Sequence, residues 1–494
     1  MRKSMLFCLM LLATLLTQVS LAANYYVSTT GSDSNNGTSV ATSFLTLGKA
    51  ITVAVANDVI FLASGTYVNG STINITKSNI TIKGVFTSQD LRPVLDFSGM
   101  ALADANYGIQ LKGSNCYFYG FMIKGAGDNG LLINAGTNNT VEFCNFFENR
   151  DSGVQLKTGA KLNRFINCDS YYNVDALQGN ADGFANKLDE AGFNSFRGCR
   201  AYQNSDDGWD GLPKDQTYLP SDTIINCWCY KNGYLKDGSA SQGNGNGFKL
   251  GGNSLIHDQT VMNCLSALNR AKGFDYNNNV GSMVLYNCTG YGNGGIGNFA
   301  FPNAVATDKE LILKNCLSFD PAYGKINAAA VQATNSWMSP FTVSAADFIS
   351  TDAAQMLLPR KEDGSLPDIT FMHLKAGSDL IDAGTEVGLP FAGTKPDLGC
   401  FEYNLVTSDK TNSPEFSDFM VYPNPAKGNL YFRNAAEEST LVKIYDSSGI
   451  LIQEKTLEVN ETAATISISA LNPGMYLVEA IFHGNVIRRK VLVE

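Results

Sequence analysis

The chain has 494 residues, with 36 Lys and Arg against 46 Asp and Glu, for a net charge of −10. That balance argues against nucleic acid as the target, and it leaves an anionic polymer as a partner only if a cation bridges the two. With 47 glycines, 11 cysteines and only three histidines, the unusual residues are concentrated in a repeat rather than scattered.

Arg2 and Lys3 precede an apolar run from Met5 to Leu16, and Ser20-Leu21-Ala22 offers a small-x-small cleavage site. Residues 1–22 therefore read as a secretory signal peptide, which predicts a secreted or cell-surface protein. Cys8 lies too early in the apolar run for a lipoprotein anchor. Nothing later is long and apolar enough for a membrane span.

Residues 23–405 form the next division. It opens with Tyr25-Tyr26-Val27-Ser28 and a Gly31-Ser32-Asp33 turn, followed by a short predicted helix near Leu45 to Ala56. Such a helix can cover the open end of a stack of strands, which would otherwise expose unpaired edges. Strands at Ile73–Ile75 and Ile80–Ile82 begin the stack. A recurring phrase then places an Asn or Gly before a Cys: Asn167-Cys168, Gly198-Cys199, Asn226-Cys227, Asn263-Cys264, Asn287-Cys288 and Asn315-Cys316, with Phe143-Cys144 as a variant. The cysteines are separated by 24, 31, 28, 37, 24 and 28 residues. An irregular period of this size, built from β-branched and aromatic runs, predicts a solenoid of β coils. The cysteines read as a buried column of free thiols. A zinc site is not expected, because His257, His373 and His483 stand alone and Cys227-x-Cys229 lacks a partner pair.

A second column carries the chemistry. Glycines 130, 153, 183, 208, 247 and 273 are preceded by Asn129, Ser152, Asp182, Asp207, Asn246 and Lys272. Two residues after each glycine stand Leu132, Gln155, Ala185, Asp210, Lys249 and Asp275. Equivalent positions in adjacent coils sit roughly 4.8 Å apart. Asp182 should therefore stack on Asp207, with Asp206 beside it and Lys249 one coil beyond Asp210. Like charges so close are costly without a cation, and Ca²⁺ accepts several carboxylates. The plainer alternative is a solvated acidic face with Lys249 in an ordinary ion pair. With a cation bound, the site can grip the carboxylate of an acidic sugar, and Lys249 can take the proton from the carbon alpha to it. Expulsion of the neighbouring glycosidic oxygen would follow, which is β-elimination. Lys187, Lys214, Arg270 and Lys272 lie nearby in register, and Arg270 and Lys272 are the preferred contacts for sugar carboxylates.

The segments Asp182-Gly183-Phe184, Ser205-Asp206-Asp207-Gly208-Trp209-Asp210 and Gly245-Asn246-Gly247-Phe248-Lys249-Leu250-Gly251-Gly252 resemble the signature of family 9 pectate lyases. The resemblance implies a right-handed parallel β-helix that cleaves polygalacturonate, the pectin backbone, to unsaturated oligogalacturonides. It implies Asp182, Asp206, Asp207 and Asp210 as calcium ligands and Lys249 as the Brønsted base. Gly211 departs from the pattern, since an apolar residue is expected after Asp210.

After Cys316 the repeat loosens, and residues 326–375 read as irregular packing, with Leu380–Glu402 resembling the closing segment of bacterial β-helices. A polar linker at 406–416 precedes residues 417–494, whose alternating apolar runs predict a small β-sandwich. That module resembles the type IX C-terminal sorting domain, which implies a secretion machinery as partner. The whole is thus all-β, a parallel β-helix followed by a small β-sandwich, expected to act as a monomer. Two other functions remain open: a glycoside hydrolase, which would need neither metal nor lysine, and a polymer-binding β-helix without activity.

Overall fold

The structure, a computed structural model, describes residues 22–321, 323–403, 420–422, 426, 428–433, 439–446, 451–457, 464–482 and 485–493. The signal segment, apart from Ala22, and the linker at 406–416 lie outside the described residues. The described chain divides into two compact units, one comprising residues up to 384 with 397–402, the other 385–396 with 403 onwards.

The first unit is a right-handed parallel β-helix built from a 12-stranded sheet and two 10-stranded sheets. The chain visits the three sheets in turn, so each strand pairs with its equivalent in the coils before and after. The repeat phrase has a conformational origin. Phe143, Asn167, Gly198, Asn226, Asn263, Asn287 and Asn315, each just before a column cysteine, all have φ between 50° and 61°. This is the left-handed region that Asn tolerates and Gly enters freely, and it makes the sharp corner between the first and third sheets. Cys144, Cys168, Cys199, Cys227, Cys264, Cys288 and Cys316 follow the corner and are fully buried. All ten described cysteines are free thiols.

The next corner is held by a ladder of asparagines. Asn149, Asn173, Asn204, Asn232, Asn269 and Asn293 each donate through Nδ2 to the Oδ1 of the following asparagine, at 2.8–3.0 Å. Their buried amides are thereby paired along the axis, as buried polar groups must be. The loops that stretch the long repeats, at 174–181 and 233–245, leave the chain between this ladder and the glycine column.

At the N-terminal end the helix Leu47–Val53 buries Leu47, Ala50 and Ile51 against the first coils. Thr46 caps it by accepting from the amide of Lys49, and Lys77 Nζ donates to the carbonyls of Ile51, Thr52 and Ala54 at its C-terminus. The coils begin earlier than expected, with Asn24–Val27 pairing on Val59–Ala63. Between Ala333 and Glu402 the described residues form two 3-10 turns and isolated bridges, and Gly399 and Cys400 return to donate to Asn315 O and Thr289 Oγ1.

The second unit contains a three-stranded and a four-stranded antiparallel sheet. Leu430, Phe432, Val442, Ile444, Ile466, Val478 and Val491 from the two sheets share one buried cluster, the alternation expected of a small sandwich. No helix among the described residues is long and apolar enough to cross a membrane.

Candidate active site

The second sheet supplies the site. Strand alternation sends Phe184, Trp209, Phe248, Phe274 and Phe299 inward, where they stack with ring centroids 4.6–5.0 Å apart. The next residue in each strand faces outward, and the pairs Ala185↔Asp210, Asp210↔Lys249 and Lys249↔Asp275 are in register as the spacing predicts. Gly183, Gly208, Gly247 and Gly273, before the first four of these aromatics, are required by close approach. A Cβ at Gly208 would meet Cys229 Sγ at 2.5 Å and the carbonyl of Gly247 at 2.6 Å.

Residues before the glycines are pinned by a ladder of their own. Ser152 Oγ accepts from the amide of Asp182, Asp182 Oδ1 from the amide of Asp207, and Asp207 Oδ1 from the amide and side chain of Asn246. One carboxylate oxygen from each of Asp182, Asp207 and Asp210 lies within 4.8 Å of the others, and all three residues are buried. Asp206 stands beside them, but its Oδ1 accepts from the amide of Asn244 in the 233–245 loop.

Two lysines lie among these oxygens. Lys249 Nζ is 3.0 Å from Asp207 Oδ2 and 3.2 Å from Asp210 Oδ1. Lys187 Nζ is 2.6 Å from Asp182 Oδ2 and 3.2 Å from Asp210 Oδ2. Lys187, which the register sets near the site, is thus no surface charge, and its ion pairs to Asp182 and Asp210 are what the column did not reveal. Asp207 Oδ2 has no aligned hydrogen bond despite Lys249 being near, so it is a buried oxygen with unspent capacity.

The electrostatics follow from this arrangement. Burial raises the Asp182 carboxyl well above its ordinary value, and Lys187 only partly offsets it. Asp206 is pushed up to about 7 by burial and then by Asp207. Asp210 is held below its ordinary value because Lys187 and Lys249 together outweigh its burial. For Lys249 burial favours the neutral amine, but Asp207, Asp210, Asp182 and Asp206 outweigh it and hold the ammonium form above the usual lysine range. The donor set fits a hard divalent cation: it is all oxygen, carries more carboxylates than lysines, and has a buried oxygen held by an ion pair alone.

The two preferred basic candidates, Arg270 and Lys272, are already engaged. Arg270 donates to the carbonyls of Ser241 and Gly243 and so clamps the 233–245 loop. Lys272 pairs with Asp275 at 2.9 Å and is about a third exposed. Asp275, which the column places beside Lys249, therefore spends its charge on Lys272. The turn after Asp210 is shaped by His257, whose Nδ1 lies 2.7 Å from Gly211 O. A side chain at Gly211 would meet that ring at 3.3 Å, which accounts for the departure there. His257 is not isolated, as the sequence suggested, since Glu190 and Asp222 lie against it.

The chain matches the Pel9A-like right-handed β-helix family over residues 25–317 and a secretion-system C-terminal sorting domain over residues 420–494. It is 36% identical to pectate lyase L of Dickeya chrysanthemi, over 77% of this chain and 90% of that protein. Among solved structures, pectate lyase Pel9A superposes with a TM-score of 0.71 at 33% identity, covering 78% of this chain and 98% of the other. A rhamnogalacturonan lyase superposes with a TM-score of 0.63 at 28% identity, covering 72% and 97%.

Proposed function

Because the chain belongs to the Pel9A-like right-handed β-helix family and is a polysaccharide lyase, we propose that it is an exported pectate lyase acting on polygalacturonate by calcium-dependent β-elimination. The observation that carries this reading is the convergence of Asp182, Asp207 and Asp210 on the two lysines, Lys187 and Lys249. Export is supported by the sorting domain at 420–494.

In this reading Asp182, Asp206, Asp207 and Asp210 hold Ca²⁺, with Asp206 leaving its contact to the Asn244 amide. Bound there, Ca²⁺ would supply the positive charge that grips a uronate carboxylate and acidifies the proton on the adjacent carbon. A cation held by Asp207 and Asp210 would compete with the lysines for their charge. The hold of these carboxylates on the Lys249 proton would weaken, and its burial favours the neutral amine. Neutral Lys249 takes the alpha proton at Nζ. The electron pair of that C–H bond forms the C=C bond, the glycosidic C–O bond breaks, and the leaving oxygen acquires a proton. Lys187, loosened in the same way, would meet a second carboxylate of the polymer, and Lys272, one coil further along, would meet the next.

The test is the ultraviolet absorbance of the unsaturated product during action on polygalacturonate, with Ca²⁺ and then with excess EDTA, for the wild type and Lys249→Ala. Absorbance that needs both Ca²⁺ and Lys249 is expected. Reducing ends released without it would mean a hydrolase, and binding without either product would mean a non-catalytic protein. Running rhamnogalacturonan alongside decides between the substrates named for the two solved structures.

A further inference from the structure

Beneath the 211–220 loop, three buried side chains from three different coils meet at a point the lyase chemistry does not use. Glu190 lies in the loop after strand Phe184–Asn186, Asp222 lies in strand Ser221–Ile225, and His257 immediately precedes strand Asp258–Met262. All three are at most 3% exposed.

The hydrogen bonds fix what can sit between them. His257 Nδ1 lies 2.7 Å from the carbonyl of Gly211, and a carbonyl only accepts, so Nδ1 carries hydrogen. Nε2 therefore faces Asp222 Oδ2 at 3.1 Å and Glu190 Oε1 at 3.5 Å. In a neutral ring that nitrogen is itself an acceptor. The other oxygens around it are occupied: Glu190 Oε2 accepts from the Gly192 amide and from Asn194 Nδ2, both at 2.6 Å. Asp222 Oδ1 accepts from the Asn194 amide at 2.8 Å, and Oδ2 from Asn186 Nδ2 at 2.6 Å. Glu190 Oε1 is buried with no hydrogen-bond partner. Three acceptors thus point at one another with no donor between them, and burial without compensation is costly.

Either a hydrogen, on Nε2 or on one of the two carboxyls, or a metal ion resolves this. A proton on Nε2 lies close enough to serve Asp222, but leaves Glu190 Oε1 unmet. A tetrahedral ion with bonds of about 2.0–2.1 Å would hold its donor atoms roughly 3.3–3.4 Å apart, and the two measured separations bracket that value. The outward donation from Nδ1 to a backbone carbonyl is also how a metal-bound imidazole is oriented. We propose that Glu190, Asp222 and His257 form a transition-metal site of the Zn²⁺ class, separate from the aspartate cluster, with its fourth position toward the cleft lined by Leu188, Pro213, Tyr218 and Pro220. Bound metal staples three coils together and, through His257, holds Gly211, the residue that follows Asp210. The soft–hard division is physical: an imidazole with two carboxylates selects borderline ions, whereas the all-oxygen aspartate set selects hard ones.

The experiment uses the mature full-length protein, freed of metal and then saturated with Ca²⁺ so that the aspartate cluster is filled. Titration with Co²⁺ is expected to give one equivalent with the intense visible absorption of a tetrahedral nitrogen–oxygen site, lost on adding one equivalent of Zn²⁺. The band should persist in Asp207→Asn and disappear in His257→Gln. Glu190→Gln should weaken Co²⁺ binding by more than the roughly 10–100-fold that loss of an outer-shell partner costs. No saturable band in the wild type, or an undiminished band in Glu190→Gln and His257→Gln, would overturn the site. The wild-type titration decides on its own if the variants fail to fold, and none of these readouts depends on lyase activity.

Discussion

Asp169 and Asp207 are both buried carboxylates of the same solenoid, one in the third sheet and one beside the second. Asp169 is gripped by Arg200 through Nε at 2.9 Å and Nη2 at 2.7 Å, and by Arg360 at 2.6 Å. Both guanidinium groups spend their remaining hydrogens on backbone carbonyls, including those of Met356, Leu358, Gly198 and Gly364. Burial works against the Asp169 charge, but Arg200 and Arg360 outweigh it and hold its carboxyl below the ordinary range. Asp207 instead shares two lysines with Asp182 and Asp210, keeps an oxygen without an aligned bond, and has its carboxyl raised by burial. Arginine forks saturate a charge and fix the irregular 353–366 segment onto the coils, which is structural work. Lysines are point charges that can leave, so the second cluster can exchange its partners. Incomplete satisfaction in a buried cluster is what separates a site from a staple.

The sharpest way to break this comparison is to remove a lysine from the cluster that exchanges its partners. Lys249→Ala should lower the elimination rate by about 10²–10⁴-fold, the range expected for loss of a general base, while leaving polymer binding nearly intact. Lys249→Arg should not rescue it, because arginine keeps its proton and cannot accept another. A variant with wild-type kcat on polygalacturonate would remove Lys249 from the mechanism.

The staple should respond in stability instead. Asp169→Ala leaves two buried guanidinium groups facing no carboxylate, a loss of about 3–5 kcal/mol by analogy with broken buried pairs. Denaturant unfolding measures it. Asp207→Asn in calcium-free protein should have the opposite tendency, neutral to about 1–2 kcal/mol stabilising, since it removes a charge whose burial is undercompensated. The same substitution should abolish the stabilisation that Ca²⁺ gives the wild type. If both variants destabilise the calcium-free fold alike, the contrast between the clusters is lost.

A pH series sharpens it further. The folded Asp169 carboxyl lies below its unfolded value of 3.8, so its contribution is present above that value and lost as pH falls toward the folded one. Asp206 is raised to about 7 in the fold, so its contribution is full below an unfolded value of 3.8 and fades as pH rises through about 7. Calcium-free protein should therefore melt lower at pH 8 than at pH 6, and saturating Ca²⁺ should remove most of that difference. Melting temperatures that rise from pH 6 to pH 8 without Ca²⁺ would contradict the raised carboxyls.

Much of the catalytic column was legible because it repeats. A glycine, an inward aromatic and an outward residue recur coil after coil, so counting two positions from Gly208 and Gly247 is enough to set Asp210 against Lys249. The Asn-Cys phrase was legible as a repeat for the same reason, and the structure adds that it marks a corner with positive φ. What escaped the sequence does not repeat. Lys187 and Asp206 were both set near the site, but neither the pairing of Lys187 with Asp182 nor the contact of Asp206 to a loop found in one coil only was. Arg360 reaches Asp169 across 191 residues. Glu190, Asp222 and His257 meet only because loops of unequal length bring three coils to one place, so His257 looked solitary in the sequence.

Lys272 is where the smallest effect is expected, and where the comparison extends to the edge of the groove. Its ion pair with Asp275 is partly solvated, and pairs of that kind contribute about 0–1 kcal/mol. Lys272→Ala should therefore leave the melting temperature nearly unchanged. Asp275, released from Lys272, is next to Lys249 in register and becomes available to hold its proton. The pH–rate profile should then shift to higher pH, as it should if a carboxylate partner of the base has been gained, while KM rises a few-fold if Lys272 also meets the polymer. A change in KM alone would assign Lys272 to binding, and an unchanged profile would show that Asp275 has no bearing on the base. The double variant Lys272→Ala with Asp275→Asn separates the two contributions, because it should restore the pH profile without restoring KM.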